Sequence, residues 1–548
     1  MERKLNRWMH LHPVLQKLIN GLKIAVVLSG ICIFSSLFNP ANAADNDLQQ
    51  TVITGKVTDS RGEALAGVNV LVRGTVMGTI TDIQGRYSLA VNDLTGTLVF
   101  SFIGYTPLEV PIEGRRTVDA QLAEETTALG EVVVTALGIK REAKRVGYAT
   151  TSVDNDYITA VRTTNFGNSL QGKVAGLNIS APAGGPGGSS KIRIRGQSSF
   201  GGNNSPLIIV NGVPINNSTI SAGSGGGNPT GGSSDQGDGL QSINPDDIEN
   251  MTVLKGAAAA ALYGSRAKDG AIIITTKSGS GRPGIGIEIN TSFQTDKALD
   301  FTDFQYEYGQ GEYGLRPTNT TEAQSSGVWS FGEKFDGAST PQFDGTSKPY
   351  LPNKNRIKDF YRTGTNWTNS VALTGQNDKG SFRLGFANTD ANAIVPNSDY
   401  HKKILNFGMN YKLIPQLTVQ LNINYSNEWN HNPPQIGIQD MNANTTIYTM
   451  ANSIAVKWLE DTYMDVNGNE QPLARFTNRN NPYWVALKRF ENVKRDRLFG
   501  NTTVRYQLLK WLYVQGRIGM DYYTRPYNYN RPTGTRSISA AASGYNGY

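Results

Sequence analysis

Three places in the chain carry residue types that could do chemistry. Residues 184–191, GGPGGSSK, have the glycines and lysine of a phosphate-cradling loop. Residues 465–469, DVNGN, have the oxygen donors of a calcium turn, and His401 and His431 offer two imidazoles. Spacing argues against each. The first segment lacks the interval between its leading glycine and a Gly-Lys-Ser/Thr that brings backbone amides and an ammonium onto one phosphate. An EF-hand register across the second would begin at Tyr463, which supplies no carboxylate, so a hairpin turn fits better. Two imidazoles so far apart in sequence form no clustered metal or acid–base set. Cys32, the single cysteine, lies in the N-terminal segment, which leaves the rest without thiolate ligands, nucleophiles or disulfides. We expect no catalytic residue, no cofactor and no metal.

That N-terminal segment reads as an export signal over residues 1–43. Arg3, Lys4, Arg7, Lys17 and Lys23 precede the apolar run IAVVLSGICIFSSLF, and Ala41-Asn42-Ala43 follows as a cleavage site. The apolar run is shorter than the ~20 residues a membrane-spanning helix needs. Removing five basic residues and Glu2 reduces the formal charge from +7 to +3, too little for a nucleic-acid partner. With 60 glycines in 548 residues, the mature chain suggests turns and close backbone approaches rather than helical bundles.

The elements follow from periodicity. Over residues 52–123, VITGKVT, GVNVLVRG, GTITD, GRYSLAV, TLVFSFIGY and RTVDAQL recur with turn signals between them, as in a small β-sandwich. From about 140 to 283, short apolar strands such as LIIV and AIIITT alternate with glycine-rich loops and with the helix-compatible stretch NPDDIENMTVLKGAAAAALYG, where Asn244 or Asp246 could cap a helix and Pro245 suits its first turn. From 284 onward, seven strands are predicted near 285–295, 366–375, 381–390, 402–412, 417–428, 498–507 and 512–523. In LTVQLNINY, Leu417, Val419, Leu421, Ile423 and Tyr425 share one face, and Thr418, Gln420, Asn422 and Asn424 the other. Short connections (QNDKG, LIPQ, LLKW) alternate with longer ones. An outer-membrane barrel separates turns from loops in this way.

Four ordered blocks identify the middle of the chain: QGKVAGLNI, KIRIRGQSSF, SPLIIVNGVPI and INPDDIENMTVLKGAAAAALYGSRAKDGAIIITTKSG. Together they resemble the plug of the SusC/RagA family of TonB-dependent outer-membrane transporters, with Asn211-Gly212 where many relatives carry Asp-Gly. TGKVTDSRGEALAGVNVLVRGT, TDIQGRYSL and SFIGY resemble the carboxypeptidase-regulatory-like, transthyretin-type module. The implied fold class is mainly β: a sandwich, an α/β plug and an incomplete antiparallel transmembrane barrel. The resemblance implies active import of glycan or peptide nutrients across the outer membrane, energised by a TonB-ExbB-ExbD complex and assisted by a SusD-like surface lipoprotein, with the plug and N-terminal domain on the periplasmic side. It places a TonB box at 129–138, where Glu131, Val132, Val133, Val134 and Thr135 would add as a strand to a partner's sheet edge. The alternative is a last strand of the sandwich.

The plug motif residues, Gly172, Arg193, Arg195, Gly196, Asn211, Gly212, Lys255, Tyr263, Gly264 and Arg266, are expected to be structural, with both arginines facing the barrel wall or carboxylates. Residues 218–239 are an outer plug loop or a flexible spacer. At the strand density of 284–548, a barrel of about 22 strands would take ~830 residues, so the chain reads as the N-terminal part of a longer product, unable to transport in this form. The competing function class is a secreted β-rich adhesion or scaffolding protein; within import, a siderophore or cobalamin receptor is the further alternative.

Overall fold

The computed structural model describes residues 51–546 apart from short stretches, the longest at 124–131, 143–149, 223–232 and 537–544. The predicted export signal lies outside the described residues. The chain divides into two compact units, 1–128 and 129–548.

The first unit is a β-sandwich. Strands β1 (Thr51–Thr58), β2 (Asn69–Val72), β3 (Gly78–Ile80), β4 (Arg86–Val91), β5 (Thr97–Ser101), β6 (Leu108–Pro111) and β7 (Ala120–Gln121) form the sheets β4-β1-β7 and β3-β2-β5-β6. Alternate residues of β4, Tyr87, Leu89 and Val91, turn into a core with Ile53, Val70, Leu98 and Phe100. The expected sandwich is present. β6 was not among the predicted runs, because LEVP is short and ends in the proline of an edge strand.

In the second unit, β8 (Val132–Val134) pairs antiparallel with β9 (Lys140–Glu142), so Val133 lies opposite Arg141. The valine run therefore has a nearby partner that its sequence did not disclose. It does not extend the sandwich, and Glu131 and Thr135 lie outside the described residues.

The plug follows. Its main sheet contains β10 (Thr150–Asp154), β13 (Leu207–Val210), β14 (Val213–Ile215), β15 (Ile248–Leu254) and β16 (Ala271–Thr276), in the order β10-β15-β16-β13-β14 with β13 and β16 parallel; β11 (Leu177–Ser180) and β12 (Lys191–Ile194) form a separate antiparallel pair. LIIV is apolar throughout because it is buried on both faces: Ile208 joins one core cluster and Ile209 another. The stretch NPDDIENMTVLKGAAAAALYG corrects its helical reading. Asn244 caps only a single 3₁₀ turn, Pro245–Asp247, with Pro245 at its start. The β-branched and apolar run after it becomes β15, and only the alanines form a helix, α1 (Ala257–Tyr263).

The seven expected long strands are all present, as β17 (Gly284–Asp296), β18 (Gly364–Asn377), β19 (Gly380–Asn392), β20 (Asp399–Ile414), β21 (Leu417–His431), β22 (Phe490–Leu509) and β23 (Leu512–Thr524), each antiparallel to the next. Turns of two residues (378–379, 415–416, 510–511) close one end of the wall. The connections at the other end are longer, and two of them fold together over a shared core containing Phe343, Ile357, Met450, Leu473 and Trp484.

The wall's exposure is the reverse of a soluble sheet's. On β21, Asn424, Ser426 and Glu428 are 4%, 0% and 4% exposed, while Ile423 and Tyr425 on either side of Asn424 are 39% and 41% exposed. Ile285, Ile287 and Ile289 continue the outward apolar band on β17, and Ile518 and Met520 on β23. Cross-strand register aligns these residues: Ile289 opposite Val371, Val371 opposite Phe386, Phe386 opposite Leu405, and Leu405 opposite Tyr425. A secreted soluble protein would bury such a face; hydrocarbon stabilises it where it stands. No helix among the described residues is long and apolar enough to cross a membrane.

Candidate functional site

The inward face of the wall meets the plug through polar groups. Among the described residues, Phe499 is the wall's sole contribution to the plug's main apolar core. Hydrogen bonds and ion pairs form much of the rest of this contact, and three groups of them stand out.

The first centres on the 3₁₀ turn that Asn244 caps. It presents two buried carboxylates to β18 and β19. Arg383 reaches from the wall to Asp247, with Nε and Nη2 at 3.2 and 3.1 Å from Oδ1, and its Nη1 donates to Glu288 at 2.7 Å. Asp246 accepts from Arg162 of the plug at 2.9 Å and from Ser370 of the wall at 2.6 Å. Burial raises the Asp247 carboxyl above its ordinary range, with the Arg383 guanidinium opposing.

The second group lies further toward the long connections. Glu428 of β21 accepts from Ser242 of the plug at 2.7 Å, from Tyr400 at 3.0 Å and from Arg495, which also reaches Gln241 at 3.3 Å. Lys402 donates to the Thr164 carbonyl of the plug at 2.9 Å. The third group is Arg497, paired with Asp521 at 2.7 Å and donating to the Asn216 carbonyl at 2.9 Å, while the Asn216 amide donates to Asp521 at 2.8 Å.

Beside these contacts, a cavity of about 210 Å³ opens between plug and wall. Asn211, Gly212 and Tyr263 of the plug line it, with Gln420, Asn422 and Arg517 of the wall. Asn211 and Gly212 form the β13–β14 turn with φ of +49° and +83°, the signature of an Asn-Gly hairpin. The Asn211 carboxamide bridges to Thr276, accepting from its amide at 2.9 Å and donating to its hydroxyl at 2.8 Å. At Gly212 a Cβ would meet only the movable tip of the Arg517 side chain, so it is the positive φ that selects glycine.

The other motif residues are not gathered at this cavity. Gly172, Gly196 and Gly264 hold φ of +76°, +92° and +74°. Lys255 follows β15, and Arg266 lies in the 3₁₀ turn Ser265–Ala267. Arg193 and Arg195 have no carboxylate or wall partner among the described residues. Ile192 and Ile194 take the buried side of β12, which turns Arg193 to Gln197 at 2.9 Å and leaves Arg195 exposed.

The glycine-rich segment 184–191 is occupied by the protein's own anions. Asp235 accepts from the Ser189 amide and hydroxyl at 2.7 and 2.6 Å, and Asp238 from the Ser190 amide at 2.8 Å. Its amides thus serve carboxylates of the plug, and burial pushes Asp238 up to about 6. The same arrangement places residues 218–239: Ser221–Ala222 pairs with Ser233–Asp235, which pairs with Gln435–Ile436 of a long wall connection. Residues 223–232 lie outside the described residues.

Sequence reasoning missed Asp246, Asp247, Arg383, Glu428 and Arg495. The available signal was position, and it served for Arg383 alone, on the inward phase of a stretch whose outward residues, Leu384 and Phe386, are apolar; around Glu428 and Arg495 the outward phase is polar as well.

A buried acid also organises the long connections. Glu470 accepts from the Asn481 amide at 2.7 Å, the Arg536 amide at 2.8 Å and the Asn480 side chain at 2.9 Å. Burial outweighs these donors and raises its carboxyl from 4.5 to about 7. A folded value above the unfolded one means that its contribution is complete below pH 4.5 and is lost as pH rises to about 7. Relative to the intrinsic base-catalysed rate, amides around 465–481 are therefore expected to show greater protection from exchange at pH 5 than at pH 8, and Glu470→Gln to flatten that difference in protection.

A plug seated by polar contacts against an inside-out β wall defines the class: an outer-membrane receptor with a filled barrel. Residues 142–271 match the TonB-dependent Receptor Plug Domain, and 53–134 the CarboxypepD_reg-like domain. The chain thus carries a TonB-dependent receptor plug domain and a CarboxypepD_reg-like domain. It is 33% identical over 354 residues to TonB-dependent receptor SusC of Bacteroides thetaiotaomicron, covering 65% of this chain and 31% of that protein. It is 37% identical over 263 residues to TonB-dependent receptor P39 of Formosa agariphila, covering 48% and 23%. The chain thus spans a third or less of those relatives. In fold it is similar to the RagAB peptide importer in its open-open state, with TM-score 0.54 and 18% identity over 73% of this chain and 43% of that one.

Proposed function

We propose that the protein imports oligosaccharide or peptide nutrients across the outer membrane, energised by a TonB-ExbB-ExbD complex acting on residues 129–138 and served by a SusD-like surface lipoprotein over the long connections. The observation that carries this reading is the polar seam between plug and wall. An apolar interface of that size would resist sliding, because exposing it costs about 25 cal/mol per Å². Hydrogen bonds exchange with water at a net cost of only ~1 kcal/mol each, or ~1.5–3 kcal/mol where a charged group takes part. A pull from the periplasm can then displace part of the plug without unfolding the wall, and the cavity beside Asn211 and Arg517 marks where a passage can widen. The likeness to SusC and to the RagAB peptide importer supports nutrient oligomers as cargo.

Growth on defined oligosaccharides or peptides as sole nutrient tests the reading. Loss of the gene, of TonB, or of the neighbouring lipoprotein is each expected to abolish growth on one such substrate. Recovery of the intact protein from the soluble periplasm, or uptake that persists without TonB, would overturn it.

A further inference from the structure

Above the apolar band, on its lipid-facing side, the wall changes character at the end that carries the long connections. On β21 the outward residues run from Leu417 through Ile423 to Tyr425, then turn polar at Asn427. Register carries this change across the sheet. Asn427 lies opposite Lys403 of β20 and Asp496 of β22; one outward step further, Trp429 lies opposite His401 and Lys494. All of these are outward positions: the intervening Lys402 and Arg495 are buried against the plug, whereas Lys403 and Lys494 are exposed.

The acids of this belt are already engaged. Asp390 accepts from Asn388 at 2.5 Å and is bonded to His401 Nδ1 at 2.7 Å. Asp496 accepts from the Tyr425 hydroxyl at 2.9 Å and the Asn427 carboxamide at 2.7 Å. The ammonium groups of Lys403 and Lys494 have no hydrogen-bond or ionic partner among the described residues. They stand two strands apart, about 10 Å across the sheet, with Trp429 between them, its ring stacked on His401 at 5.2 Å.

We propose that this belt binds the phosphorylated sugar headgroup of an outer-leaflet glycolipid, with Lys403 and Lys494 taking phosphate oxygens. Three features select that occupant. The patch is continuous with the hydrocarbon-facing band, so the ligand has acyl chains below it. Its position at the long-connection end places it in the outer leaflet, since tight turns face the periplasm. Its chemistry is mixed: cations suit phosphate, while carboxylates, carboxamides and an indole suit hydroxyls and the apolar face of a sugar ring.

The test extracts the intact protein from its own outer membrane in mild detergent and measures bound glycolipid and phospholipid by mass spectrometry. Native protein is expected to retain phosphorylated glycolipid. K403Q/K494Q should retain about thirtyfold less, at roughly 1 kcal/mol per cation near an anionic headgroup. K510Q, in a turn at the opposite end, should match native. Unaltered heat-modifiable migration establishes that the variants are folded. Equal glycolipid in native and double variant, equal loss in K510Q, or phospholipid as the species lost would each overturn the proposal.

Discussion

Val133→Pro is expected to abolish uptake while leaving the amount of protein in the outer membrane unchanged. Val133 is the middle residue of β8 and lies opposite Arg141. Strand addition to a partner's sheet depends on main-chain donors. Proline removes one of them and sets φ near −65°, so a three-residue strand loses its regular pairing with any partner. The change lies outside the plug sheet and the wall, which gives no reason for failed insertion. Val133→Thr keeps both the amide and β propensity and is expected to transport normally. Retained uptake in the proline variant would remove the coupling role from this segment. The hairpin with Lys140–Glu142 adds a condition to that role. On that reading, the energy-coupling partner would add to the edge of β8 away from β9 or take the place of β9.

The second large effect is expected at Arg383. Its side chain and that of Asp247 are 2% and 3% exposed. Truncation to alanine leaves a buried carboxylate beside a second one, at a cost of about 3–5 kcal/mol for breaking a buried pair from one side. The wall's ladder of backbone bonds is untouched, so Arg383→Ala should still insert, but with the turn Pro245–Asp247 loosened from its seat. The measurement is permeability: cells carrying the variant should admit large antibiotics that native cells exclude, and protease added from the periplasmic side should cut the plug faster. Asp247→Asn in the same chain removes the stranded charge and should restore most of the barrier. If the double variant leaks as much as the single one, Arg383 acts through something other than Asp247.

How much of this was legible in the sequence varied with the physics behind each element. The seven wall strands were found because lipid on one side and plug on the other impose a period of two. Their upper ends were not. β22 begins at Phe490, well before its predicted start at 498, because Asn492, Lys494 and Asp496 point outward above the hydrocarbon while backbone pairing continues. Once the outward phase turns polar, alternation vanishes although the strand does not. β15 was missed for a related reason. It is buried in a sheet that packs on both sides, where IENMTVL offers no periodicity against a helical reading. The hairpin of β8 joins segments too short for pattern to find. At the plug–wall seam, the chain revealed each strand's inward phase but not which plug residue meets it. Asp247 and Arg383 are 136 residues apart, and only the closed fold brings them together.

The alternation along β17 to β23 also governs how this polypeptide can reach its destination. Every outward isoleucine or valine is followed by a residue meant for the inside, so a stretch of strand never accumulates the continuous greasiness that makes a translocation channel release a segment sideways. A helical bundle of equal lipid-facing area would lodge in the first bilayer it crossed. These ribbons pass through it as ordinary export cargo and become membrane-seeking only when pairing sorts their two faces apart.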